Sequence, residues 1–115
     1  MYFAYFKNND HRDQFLILKA KAGQGNDCEY CSAIYVLAAL GKSVEKHVQL
    51  GGIKFLALFK DAEVWSSSEK ALVKLAAALF NADAWPVTIE DVFYSLDEEN
   101  IRVALQALEI RYLMR

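Results

Sequence analysis

The chain holds one proline, five glycines and two cysteines in 115 residues. So few turn-making residues disfavour the many tight reversals of a sandwich or barrel. Two cysteines cannot frame a disulfide scaffold, so a cytoplasmic setting is the default expectation. Neither sign of charge dominates, with thirteen Lys and Arg against fifteen Asp and Glu. A net charge of -2 argues against a broadly basic face, and no nucleic acid is expected as a partner. Long apolar runs are missing too. Ala33 to Leu40 is the longest at eight residues, where a membrane span needs ~20. The opening Met1 to Phe6 is apolar but lacks a basic lead and meets Lys7-Asn8-Asn9-Asp10 after six residues. A secretion signal needs an apolar core of ~7–15, so neither export nor membrane attachment is expected.

What the chain does have is apolar side chains, 55% of the total with tyrosine included. With the five glycines counted in place of the six tyrosines the share is about 54%, still above the norm of ~45–50%, which excludes bulk disorder. At 13.0 kDa the expectation is one domain over residues 1–115.

Helix signals fill the sequence. Asn8 or Asn9 can cap a first helix running to about Ala22, with Phe15, Leu16, Ile17 and Leu18 as a wide apolar face. The Gly23-Gln24-Gly25-Asn26 stretch then breaks it. Asp27 can cap a second helix ending at Leu40, before Gly41. Between Tyr30 and Leu40 only Ser32 is polar, which marks a buried helix. Ser43, Glu45 and Lys46 suggest a short third helix, closed by Gly51-Gly52. Residues 53–59 are ambiguous. Ile53, Phe55, Ala57 and Phe59 alternate as in a strand, but Leu56 and Leu58 are apolar on the other face, so a minor strand pairing competes with a helix or an irregular segment.

Ser66 and Glu69 have the spacing of a capping box. They open a helix near 67–81 whose polar line is Lys70 and Lys74, and this helix is expected to be central and buried. Ala82 to Pro86 is a loop. Thr88 caps a short helix to Tyr94, and Asp97 caps the last, with Leu96 and Ile101 placed as a hydrophobic staple. Ile101, Leu105, Leu108 and Tyr112 form its expected inward stripe. The fold class that follows is all-α, one domain of about five or six helices.

Four residues are the only candidates for metal chemistry: Cys28, Cys31, His11 and His47. Cys28-Glu29-Tyr30-Cys31 could hold half of a zinc site, but the histidines stand at no familiar finger spacing. A thioredoxin-type redox centre wants a strand before the CxxC and a helix after it, and no such sheet is legible. The plainer reading makes Cys31 a small core residue and Cys28 part of a first helical turn. No metal or other cofactor is expected. His11 and His47 read as a cap residue and a surface residue.

Other motifs point away from catalysis. Six acids and no Lys or Arg lie from Asp83 to Glu99, but a calcium loop's central glycine is missing. Helix capping explains most of those acids. Thr88 to Leu108 has the outline of a helix-turn-helix, yet its second helix opens with Glu98-Glu99, the wrong charge for phosphates. No nucleophile elbow surrounds Ser66 to Ser68, and no phosphate loop occurs. No catalytic residue is nominated.

Three stretches carry a resemblance. They are Phe6-Lys7-Asn8 with His11-Arg12 and Phe15; Trp65, Ser67-Ser68, Leu72, Leu75-Ala76 and Leu79-Phe80-Asn81; and Asp91, Phe93, Leu96-Asp97-Glu98-Glu99-Asn100, Ala107 and Ile110-Arg111-Tyr112. Together they resemble a family of small proteins of unknown function from Gram-positive bacteria and their phages. The likeness spans most of the chain except residues 41–64, and Ala77-Ala78 replace a bulkier pair. It implies a compact, mostly helical cytoplasmic protein, prophage-encoded, and carries no activity with it.

The functional expectation is therefore a non-enzymatic interaction module that docks a protein partner or forms a homo-oligomer. A domain this size buries only about two-thirds of its chain surface, so aromatics should remain near the outside, with Tyr2, Phe3, Tyr5 and Trp85 as candidates. The alternatives are a Cys/His metal-binding regulator and a small enzyme with no recognisable site.

Overall fold

The computed structural model describes residues 5–24 and 26–114. Among the described residues six helices pack with one two-stranded antiparallel sheet. The architecture is all-α with a minor strand pairing.

Helix α1, Asn9–Ala22, starts where Asn8 Oδ1 accepts the His11 amide at 2.7 Å. It stops at Gly23, whose φ of 71° suits a residue without a Cβ. Its buried line is His11, Phe15, Leu18 and Ala22, spaced for one helical face. Leu16 and Ile17 point outward, so the apolar face is narrower than the sequence suggested, and a histidine completes it.

Helix α2, Cys28–Ala38, is capped by Asp27, whose carboxylate accepts the Glu29 and Tyr30 amides. Every residue from Cys31 to Leu40 is buried. The α-helix ends two residues before the expected Leu40. Its last turn tightens through bonds from the Ala39 and Leu40 amides to the Val36 and Leu37 carbonyls. Gly41 then turns the chain at φ 69°.

The expected short third helix is a 3-10 turn, Glu45–His47. It leads into β1, Val48–Gln49, which pairs with β2, Gly52–Ile53, around a tip at Leu50 and Gly51. The Gly51 amide donates to the Ala22 carbonyl at 3.0 Å, so the tip closes the end of α1. The ambiguous segment divides accordingly. Ile53 is strand, and from Phe55 the chain is helix α3, Phe55–Ala62, burying Phe55, Leu58 and Ala62.

Helix α4, Ser67–Phe80, opens with both halves of the Ser66 and Glu69 capping box in place. It packs against α2, α3 and two further helices, α5 (Ile89–Phe93) and α6 (Glu98–Tyr112). Leu72, Leu75, Ala76 and Leu79 are buried, as a central helix requires. Lys70 and Lys74 stay outside.

The expected α6 stripe needs correction. Leu105 and Tyr112 are 51% and 50% exposed, and Ile101 and Leu108 are only partly buried. The inward face is instead Val103, Ala104, Ala107 and Ile110. Small side chains win because α6 lies against α2, and two alanines let the backbones approach. Among the described residues no buried side-chain nitrogen or oxygen lacks a hydrogen-bond partner, and no helix is long and apolar enough to cross a membrane.

Candidate functional site

The four candidate metal ligands occupy separate environments. His11 is buried among Phe6, Phe15 and Tyr35, with its ring centroid 5.1 Å from Phe6 and 4.6 Å from Tyr35. Its Nδ1 accepts the Lys7 amide at 3.1 Å, so Nε2 carries the proton and donates to the Tyr35 carbonyl at 2.8 Å. Burial pulls its pKa down to about 4, against the Tyr35 bond, which raises it. His47 is 6% exposed rather than a surface residue, because Val44 and Val48 beside it enter the core. Its Nε2 donates to Asp61 Oδ2 at 2.6 Å, and Lys46 Nζ lies 3.3 Å from the same oxygen. The bond from His47, then that from Lys46, holds the Asp61 carboxyl below its ordinary value.

Cys28 and Cys31 are not joined in a disulfide. Cys28 is half-buried at the first residue of α2, while Cys31 is in the core, where burial pushes its thiol pKa up. Among the described residues no three His, Cys, Asp or Glu side chains converge as metal ligands. The structure thus does not bring His11, Cys28, Cys31 and His47 together, and the Cys/His regulator loses its geometric basis.

The acidic segment mostly serves its own helices. Asp91 completes a capping box with Thr88, whose bonds hold its carboxyl below the ordinary value. Asp97 accepts the Asn100 amide at 2.8 Å. Glu98 meets Arg102 at 3.4 Å in the open.

Of the aromatics expected at the surface, Tyr2 and Phe3 lie outside the described residues. Tyr5 is half-buried. Its amide donates to Gln106 Oε1 at 3.1 Å, and its carbonyl accepts the Tyr35 hydroxyl at 2.6 Å. Phe6 packs on the core. The described end of that segment therefore closes the chain's own core.

Trp85 is different. Asn81 ends α4 in an extended conformation, and its side chain accepts the Ala84 amide at 3.2 Å. The Trp85 amide reaches the Asn81 carbonyl at 3.0 Å. This turn and Pro86, which disfavours helix at the residue before it, bring Trp85 over α3. Its ring lies 5.1 Å from Phe59 and 6.4 Å from Phe55, and Phe55 continues to Phe80 at 5.6 Å.

These rings floor an open groove with two lobes of about 480 and 430 Å3. Leu56 and Trp85 line both lobes, and Leu56 is 77% exposed. Ile53 and Phe80 lie in one lobe, Phe59 and Val87 in the other, with Lys74 and Asp91 beside them. Such a surface can bury an apolar side chain against aromatic faces. Sequence reasoning missed the groove because its walls come from three separated segments. The one local signal was α3, where Phe55, Leu58 and Ala62 form a narrow inward face and leave Leu56 outside. No family model, curated protein or solved structure matches this chain.

Proposed function

We propose that this protein is a non-enzymatic interaction module that self-associates through the groove between α3 and Trp85. The observation that carries the reading is Leu56, 77% exposed between two aromatic-floored lobes. Single exposed leucines are ordinary, but one set in a concave apolar surface resembles the anchors of protein interfaces. Val64, just past α3, and Ile89 and Tyr94, at the two ends of α5, are also strongly exposed. A second copy supplies the same kind of apolar side chains and fits the excess that a domain of this size cannot hide.

The reading extends to a cytoplasmic setting, where a permanent disulfide is not needed to hold the fold. It keeps company with the small helical proteins of Gram-positive bacteria and their phages that the sequence resembles. Sedimentation velocity at micromolar concentrations tests it. A dimer is expected, and Leu56→Glu is expected to convert it to a folded monomer. A wild-type monomer throughout would overturn self-association. A dimer indifferent to Leu56→Glu would remove the groove as its contact.

A further inference from the structure

At the opposite end of α2 from its buried last turn, Cys28 meets Arg111, with Cys31 one helical turn further in, and the proposed function uses none of them. Cys28 is the first residue of the helix and Cys31 lies one turn further in. Helix geometry, with about 1.5 Å rise and about 100° per residue, separates such Cα atoms by about 5 Å. That falls inside the ~4.4–6.8 Å range over which disulfides form, and closing the bond draws the Cβ atoms from about 5–6 Å to about 4 Å by a shift in the first turn, where Cys28 is the first helical residue. Arg111, from the last turn of α6, donates through Nη1 to Cys28 Sγ at 3.6 Å. The same guanidinium donates through Nε to the Leu79 carbonyl at 3.1 Å and lies 3.9 Å from Glu29. Its position is therefore held by two other partners, with a positive charge against the half-buried sulfur.

We infer that Cys28 and Cys31 form a reversible thiol–disulfide switch, with Cys28 attacking, Cys31 resolving and Arg111 positioning the first sulfur. This is not a thioredoxin-type centre, since among the described residues no strand leads into α2. The oxidant is a small-molecule disulfide of the glutathione class. The Cys28 sulfur, its proton lost to solvent, attacks one sulfur of oxidised glutathione. The glutathione S–S bond breaks, and one glutathione thiolate leaves and takes up a proton. Cys31, giving up its proton, then attacks the Cys28 sulfur in the mixed disulfide and forms the Cys28–Cys31 bond, while the second glutathione leaves as a thiolate and takes up that proton. Two protein thiols are oxidised and one glutathione disulfide is reduced to two thiols. The roles follow from placement: Cys28 is reachable from solvent, while Cys31 is buried behind it. Burial raises the Cys31 thiol and so disfavours its thiolate, which leaves its attack dependent on being intramolecular.

The test uses the full chain in glutathione buffers of rising oxidised fraction, quenched with acid, alkylated and weighed intact. The expected product has lost two hydrogens, carries no glutathione and returns to the dithiol with dithiothreitol. It should form about fivefold faster in the native chain than in the chain unfolded in urea. Cys31→Ala keeps a small apolar group in the core and should stop with one glutathione on Cys28. Arg111→Gln, shown to be folded by circular dichroism, should slow glutathione uptake at Cys28 by about threefold or more. The wild-type measurement stands whether or not either variant folds. Native protein that keeps both thiols in fully oxidised buffer overturns the inference. So does Cys28 glutathionylation without closure, or closure no faster than in urea.

Discussion

His11 and Tyr35 are joined twice, by the His11 Nε2 bond to the Tyr35 carbonyl at 2.8 Å and by ring packing at 4.6 Å. The second ring nitrogen accepts the Lys7 amide, so a proton added there would set one donor against another. The imidazole is thus held neutral, with its pKa pulled from 6.5 to about 4. Between those values the unfolded chain binds the extra proton and the folded chain does not, so stability rises with pH. The contribution is fully present above about pH 6.5 and is lost as pH falls toward 4. Its total size is about 3 kcal/mol by the linkage relation. Urea denaturation from pH 4 to 7.5 checks this against His11→Gln, which should flatten that part of the profile. An unchanged slope in the variant would refute the assignment. The depressed Asp61 carboxyl acts in the same direction but at lower pH, as protonation there breaks the His47 bond.

The corrected inward face of α6 has a direct check. Ala107 is fully buried where α6 lies against α2. Ala107→Leu should cost about 1–3 kcal/mol by overpacking. Leu105→Ser, on the exposed face, should stay within about 0.5 kcal/mol of wild type. Chemical denaturation giving the reverse order would restore the stripe of large aliphatics.

Two caps should matter by similar amounts. Ser66 accepts the Glu69 amide at 3.2 Å and Asp97 accepts the Asn100 amide at 2.8 Å. Replacing either with alanine leaves a first-turn amide without its side-chain partner and should cost ~0.5–2 kcal/mol. Because the two helix starts are far apart in sequence and share no partner, the double variant should lose the sum of the two. Thermal or urea unfolding measures all three.

Gly23 carries two constraints that one pair of variants separates. Its φ of 71° is strained for other residues, and an added Cβ would collide with the Leu50 side chain. Leu50 is 79% exposed and can swing away, so backbone strain should dominate. Gly23→Ala should cost about 1–2 kcal/mol. Most of that cost should persist when Leu50 is also replaced by alanine. If Leu50→Ala abolishes it, the collision is the cause.

Local chemistry was legible in the sequence, while choices among faces were not. Asn8, Asp27, Ser66, Thr88 and Asp97 each cap a helix because capping needs only a short polar side chain and the next few amides. Burial of α2 was legible because a helix apolar all round has no face to give to water. The α6 stripe was misread because size and hydrophobicity suggested Leu105 and Tyr112, whereas the neighbouring backbone selected Ala104 and Ala107. The hairpin could be placed only loosely, since two residues per strand leave no alternation to read. The histidines were misplaced for a related reason. Nothing near His47 in sequence announces Asp61, and nothing near His11 announces the carbonyl of Tyr35. The aromatic groove gathers Leu56, Phe80 and Trp85 across two loops, so its existence depends on how α3 and α4 pack.

The bond from the Tyr5 amide to Gln106 joins residues 101 positions apart. A ribosome adds about 5–20 residues each second, so the partner of Tyr5 is made at least several seconds after it. Through that interval Tyr5 cannot take its final place, although α1, α2 and the Tyr35 hydroxyl already exist. Tyr5 is therefore among the last of the described residues to dock, waiting on synthesis of the segment that carries Gln106.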